Sequence, residues 1–153
     1  MIRLINFLKP FAGYILIIYA ISVLTLSSIP SIPSLKIHTD KADIRLDYII
    51  HFIEYGILAF LVILYFTGRD YQMSARKYIL VTAGLIIFAV LDEYHQKLIP
   101  GRSFNIYDMV SNVSGILGAL VFSLIVFRKS QNLINQPLVA SHSSLKSPGC
   151  QDS

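Results

Sequence analysis

The sequence predicts an all-α fold, a polytopic membrane protein whose four transmembrane helices pack as one compact bundle. Three observations predict it. Only 14% of the 153 residues are charged and 54% are hydrophobic, with a mean hydropathy of +0.61, whereas soluble domains carry roughly 25% charged residues. The apolar residues gather into four stretches separated by polar connectors. The cations flank those stretches, so the net charge of +4 is the flanking bias of a membrane chain and not the basic stripe of a nucleic-acid binder. The length suits one compact unit, and the single cysteine, Cys150, excludes an internal disulfide.

The first helix lies in an uncharged run from Pro10 to Leu35, almost wholly apolar from Phe11 to Leu26, about the length a bilayer core requires. Arg3 and Lys9 precede it, so a signal peptide is the competing reading. The apolar stretch exceeds the usual core of roughly 7–15 residues and no A-x-A cleavage site follows, which favours an uncleaved helix. The run from Ser27 to Ser34, with Pro30 and Pro33, ends it, because proline lacks a backbone donor and biases its predecessor away from helix. A hydrophilic connector, Lys36 to Arg45, leads to the second helix, Asp47 to Thr67.

The third helix spans about Tyr78 to Gln96. Its uncharged part, Tyr78 to Leu91, is 14 residues, too short to cross a bilayer alone. To span, the helix must continue through Asp92, Glu93 and Gln96, which sets them at the interface or in a shielded pocket. Pro100-Gly101 makes the turn. The fourth helix runs from about Tyr107 to Phe127, with Asp108 near its start, where a carboxylate suits the helix dipole. Residues 1–127 thus form the helical domain, and residues 128–153, rich in Ser, Asn and Gln, read as a disordered polar tail.

Orientation follows from the connector cations. Arg3, Lys9, Arg69, Arg76, Lys77, Arg128 and Lys129 fall on one side, against Lys36, Lys41, Arg45, Lys97 and Arg102 on the other. This excess favours both termini in the cytoplasm of a multi-pass cell-membrane protein.

The polar groups then gather on the outer face. Asp47, His51, Glu54 and Tyr55 open the second helix; Asp92, Glu93, His95 and Gln96 close the third; Arg102 lies in the connector; Asp108 and Asn112 open the fourth. Asp47, His51 and Glu54 share a helix face by their spacing, as do Asp92 with Gln96, and Asp108 with Asn112 and Gly115. Buried carboxylates are costly unless paired, so His51 or Arg102 is the expected partner. Ser111, Gly115, Ala119 and Ser123 recur every four residues as a small-residue ridge for close helix approach, and Gly115 and Gly118 leave room beneath Asn112. Singly, these residues have structural readings: an interfacial histidine, a solvated acidic helix end, a dipole-compensating aspartate, an arginine snorkelling to headgroups. Jointly they point to a functional polar pocket.

Two motifs carry a family resemblance. Asp47-x3-His51-Phe52-x-Glu54-Tyr55-x2-Leu58 resembles the first motif of the VanZ-like membrane proteins, and Asp92-Glu93-x2-Gln96-x3-Pro100-Gly101-Arg102-x5-Asp108-x3-Asn112-x2-Gly115 resembles the second. The likeness covers about Asp47 to Gly118 together with the four-helix layout. Where the family commonly has a lysine after the first aspartate, this chain has Tyr48. The resemblance implies an association with resistance to teicoplanin, a glycopeptide antibiotic that binds cell-wall precursors at the outer face.

The reading is a pocket that binds or modifies an amphiphilic envelope component. If the protein is an enzyme, His51 and Glu54 are acid/base candidates, with Asp92, Glu93 and Asp108 as further catalytic carboxylates. Asp47, Gln96, Arg102 and Asn112 are the binding candidates, Arg102 for phosphate. The same carboxylates would suit a hard divalent cation, but one histidine among scattered carboxylates is weak metal spacing, and no cofactor is expected. Expected partners are membrane lipids, a lipid-linked envelope precursor or lipophilic antibiotic, and a second copy through the fourth helix. The alternative is a non-catalytic helix-packing or partner subunit of a membrane complex.

Overall fold

The computed structural model describes the backbone at residues 2–30, 36–39, 42–67 and 71–144, and side chains within 4–30, 46–67 and 71–132. The chain enters as α1 (Ile2–Leu8), tightens through a 3₁₀ turn at Lys9–Phe11, and continues as α2 (Ala12–Ser27). The tightening falls at Pro10, which has no N–H for an α-helical bond. Helix therefore begins well before Phe11, and Leu4–Ser27 is one apolar rod. The predicted stop holds at Ser28, whose N–H bonds Leu24 O and Thr25 O; residues 31–35 lie outside the described set.

The fold is helical, as expected, apart from the connector. It forms a two-stranded antiparallel hairpin, β1 (Lys36–Thr39) with β2 (Ala42–Arg45), in which Lys36 pairs with Arg45 and Thr39 with Ala42. Three helices follow: α3 (Leu46–Phe66), α4 (Ala75–Gln96) and α5 (Ile106–Ser144). Ser74 caps α4 by accepting from Lys77 N at 3.4 Å, and Asn105 Oδ1 caps α5 by accepting from Tyr107 N at 3.1 Å. Between them, Ile99 to Arg102 closes a turn with Pro100 second and Gly101 at φ 79° third, the left-handed conformation that glycine adopts freely.

Three helical stretches are long and apolar enough to cross a membrane: Leu4–Ser27, Leu46–Phe66 and Ile106–Asn132. Helix α4, which contains Arg76, Lys77, Asp92 and Glu93, is not among them. The third boundary corrects the break expected at Phe127. Helix α5 continues to Ser144, and its first turn past Phe127 is held by tertiary contacts: Ser130 is buried and Gln131 Nε2 donates to Tyr71 O at 2.7 Å. Composition after Phe127 suggested a solvated tail, but these two polar residues are bound by the bundle itself. Residues 145–153 lie outside the described set.

The core has two parts. Val23, Tyr55, Leu58, Ala59, Leu85, Ala89, Ile116 and Ala119 pack together, and Ile5, Ala12, Ile63, Leu64, Tyr71, Val126 and Phe127 form the second cluster. The outward faces are apolar as well: Ile17, Ile18 and Ile21 on α2, Ile50 and Ile53 on α3, Ile87 and Leu91 on α4, and Val121 and Ile125 on α5 are all exposed. A chain that is apolar inside and out has lipid as its natural solvent.

Helices α3 and α5 cross closely, and the crossing explains the small-residue ridge. A Cβ at Gly115 would collide with the Phe52 carbonyl oxygen and lie 3.0 Å from Gly56 N, so only glycine permits this approach. The space at Gly115 is filled by the α3 backbone and is not left beneath Asn112; a Cβ at Gly118 would merely touch the Phe52 ring at 3.6 Å. Gly115, Ala119 and Ser123 all face inward and are buried. The ridge is used within the chain, so a second copy would have to use another face of α5.

Candidate functional site

The end of α2, the start of α3, the end of α4 and the start of α5 meet at one end of the bundle. Asp92, buried on the last turns of α4, is the hub. It accepts hydrogen bonds from Ser27 Oγ at 2.6 Å, Tyr55 Oη at 2.8 Å and Gln96 Nε2 at 3.4 Å. An ionised carboxylate has acceptor capacity for all three, and the bonds tie α2 and α3 to α4. Gln96 passes the chain outward, its Oε1 accepting from Arg102 Nη1 at 2.8 Å. Arg102 therefore reaches Asp92 through an amide and, among the described residues, makes no direct pair with a carboxylate; of the two expected partners, it is His51 that lies against one.

Glu93 faces a second arrangement. It is 0% exposed, and its Oε1 accepts from Asn105 N at 2.7 Å, which locks the connector over the helix end. His51 Nε2 lies 3.9 Å from Asp108 Oδ2, both side chains being mostly buried; this is within ion-pair reach and too long for a hydrogen bond. Asp92, Arg102 and Asp47 also lie within electrostatic reach of the His51 ring, as do Asp92 and Arg102 for Glu54, and Asp92, Asp108 and Arg102 for Glu93. The nine sequence candidates thus share one neighbourhood, except that Asn112 enters by position, one helical turn below Asp108 on the buried face of α5.

Asn112 is 0% exposed, and among the described residues its Oδ1 and Nδ2 have no hydrogen-bond partner; Glu93 Oε2 and His51 Nδ1 likewise have none. Native proteins leave few such atoms, and each buried amide or carboxylate atom left unmatched costs about 1–3 kcal/mol. At this end of the bundle these buried atoms come from three helices: both amide atoms from α5, one carboxylate oxygen from α4 and one imidazole nitrogen from α3. Among the described residues, no group of three or more His, Cys, Asp or Glu side chains is arranged to hold a metal ion.

Sequence reasoning left three participants outside the candidate set. Ser27 was read only as part of a helix stop, and nothing local announces that it bonds a residue on another helix. Tyr55 was seen on the correct face but not assigned a role, although a buried tyrosine hydroxyl normally requires a partner. Asn105 contributes its backbone N–H, and its side chain was legible as a helix cap. His95, grouped with the acidic helix end, is exposed. Tyr48, standing where the family lysine was expected, lies 6.0 Å from the ring of Tyr107, forming an aromatic rim.

No match to a curated protein or to a solved structure was found. The family model VanZ/LLP1 matches residues 4–128, taking in every helix and side chain that builds this polar end. The chain is therefore a member of the VanZ/LLP1 family.

Proposed function

We propose that the protein is a four-span, multi-pass membrane protein whose polar end faces out of the cell and binds the polar head of an amphiphilic envelope component, with both termini in the cytoplasm. The single observation carrying this reading is the buried, unmatched set of Asn112, Glu93 Oε2 and His51 Nδ1, gathered beside the Arg102–Gln96–Asp92 chain. In this reading α4 is the fourth span. Its 22 residues reach about 33 Å at 1.5 Å per residue, against roughly 30 Å of hydrocarbon, and Asp92 and Glu93 are tolerated because their bonds shield them from lipid.

Asn112 and Glu93 contact the head, His51 with Asp108 holds or moves a proton beside it, and Arg102 attracts its negative charge. Asp92 is a positioning residue, since its oxygens are occupied by Ser27, Tyr55 and Gln96. Family membership supports linking this site to susceptibility to teicoplanin-type glycopeptides, whose targets lie at the outer face. The test is susceptibility in cells with matched membrane levels of each variant. Glu93→Gln, Asp108→Asn and His51→Gln should each abolish protection. Protection that survives all three but is lost with Gly115→Leu would mean that the protein acts through helix packing, the subunit reading. Mass spectrometry of envelope lipids with and without the intact protein then separates modification, which leaves a product, from binding.

A further inference from the structure

At the other end of α4, a cavity of about 480 Å³ lies between α3 and α4, its wall formed by Val62, Phe66, Leu80, Leu85 and Phe88. Cavities that hold small ligands commonly measure about 300–1,000 Å³. The wall is apolar apart from Lys77, which lies at its α4 N-terminal edge. Lys77 is exposed, and its ammonium has no ion-pair or hydrogen-bond partner among the described residues. Gly84 opens the groove: a Cβ there would meet nothing within 4 Å. Gly84 and Leu80 are both exposed, so the groove opens sideways, toward the surroundings of the bundle.

We infer that this groove retains one anionic phospholipid, an acyl chain lying over Gly84 and the phosphate on Lys77. A groove lined by hydrocarbon side chains and ending in one unpaired ammonium matches a molecule with the same two parts in the same order. Lysines near the membrane surface attract anionic headgroups, and a long lysine stem covers apolar surface while its charge stays at the interface. The inference rests on α3 and α4 lying side by side in the bilayer. It is independent of the polar pocket, whose residues it does not use.

The full chain, purified in detergent with equimolar phosphatidylglycerol and phosphatidylethanolamine, would be read by native mass spectrometry for retained lipid. Preferential retention of one phosphatidylglycerol is expected. Lys77→Ala should lower that preference about fivefold, while Arg76→Ala, one residue away but outside the lining, should leave it unchanged. Gly84→Phe should displace lipid of either kind, because its Cβ meets nothing within 4 Å and its ring would occupy the groove that Gly84 lines. Equal retention of the two lipids by the unaltered chain would overturn the inference. So would full retention by Lys77→Ala, or equal losses with Arg76→Ala, which would mark a diffuse surface charge. Should Gly84→Phe fail to fold, the two cation variants, both at exposed positions, decide the matter.

Discussion

The two ends of the bundle handle their buried serine and threonine hydroxyls differently. At the end formed by α1, the 71–74 connector and the middle of α5, hydroxyls turn back on their own helices: Thr67 Oγ1 bonds Ile63 O, Ser130 Oγ bonds Val126 O and, nearer mid-helix, Ser123 Oγ bonds Ala119 O. Tyr71 sits at φ 57°, a conformation costly for a non-glycine residue, yet it is fixed from several sides. Its hydroxyl donates to Asn6 Oδ1, Lys9 Nζ lies 3.9 Å from its ring centroid, and its carbonyl accepts from Gln131. Burial pushes the phenol pKa up, so it stays a donor. At the polar end, hydrogen bonds run between helices and some buried atoms remain unmatched. One end is built to hold together. The other is tied together around Asp92 and leaves the Asn112 amide and Glu93 Oε2 without hydrogen bonds among the described residues.

The largest effect should come from the crossing that both ends depend on. Gly115→Leu drives a side chain into the Phe52 backbone, where neither helix can yield without losing the other's packing. A loss of about 3 kcal/mol, the upper end of what overpacking usually costs, is expected, read as a lowered thermal transition in detergent. Gly118→Ala, facing only the Phe52 ring, should leave both the thermal transition and membrane level unchanged. If the two variants behave alike, close approach at Gly115 is not what joins α3 to α5.

Next come the donors to Asp92. Tyr55→Phe and Ser27→Ala each remove a hydrogen bond to a buried carboxylate, costing about 1.5–3 kcal/mol. Thermal unfolding in detergent measures this. Because both bonds converge on one acceptor, the double variant should depart from additivity. Strict additivity would mean that Ser27 and Tyr55 stabilise the fold separately and that Asp92 is not their hub.

The sequence made part of this end legible. Asp108, Asn112 and Gly115 could be aligned because helical spacing is a local property. The sequence carried the third helix on through Asp92 and Glu93, and both lie buried on α4. Ser27 was invisible because its partner is 65 positions away and no periodicity in α2 singles it out. Charge rules offered His51 or Arg102 to the carboxylates; His51 lies 3.9 Å from Asp108, whereas the turn at Pro100-Gly101 brings Arg102 to the Gln96 amide, which no charge rule foretells. The hairpin in the first connector and the continuation of α5 were missed because both were judged by polarity, and neither strand pairing nor the grip of Tyr71 on Gln131 leaves a compositional trace.

The unmatched asparagine allows a sharper separation of the two ends. Asn112→Leu keeps roughly the same volume and removes two buried polar atoms that make no hydrogen bond. If Asn112 is kept for a ligand, the variant should melt at the same temperature or higher, since replacing an unsatisfied polar group with an apolar one of similar shape is neutral or stabilising, and antibiotic protection should be lost. Destabilisation beyond about 1 kcal/mol would place Asn112 among the groups that hold the helices together.

The smallest effects belong to the opposite end. Thr67→Val and Ser130→Ala remove hydroxyls that bond the carbonyl four residues earlier on the same helix. That carbonyl already accepts from, or lies beside, the helical backbone, and such back-bonding contributes little to helix stability. Each variant should shift stability by less than about 0.5 kcal/mol and leave protection intact, although both positions are as buried as Asp92. Burial alone would predict equal costs at the two ends. A Ser130→Ala penalty matching that of Ser27→Ala would therefore erase the distinction, because it is the partner of the hydroxyl, on its own helix or on another, that should set what its loss costs.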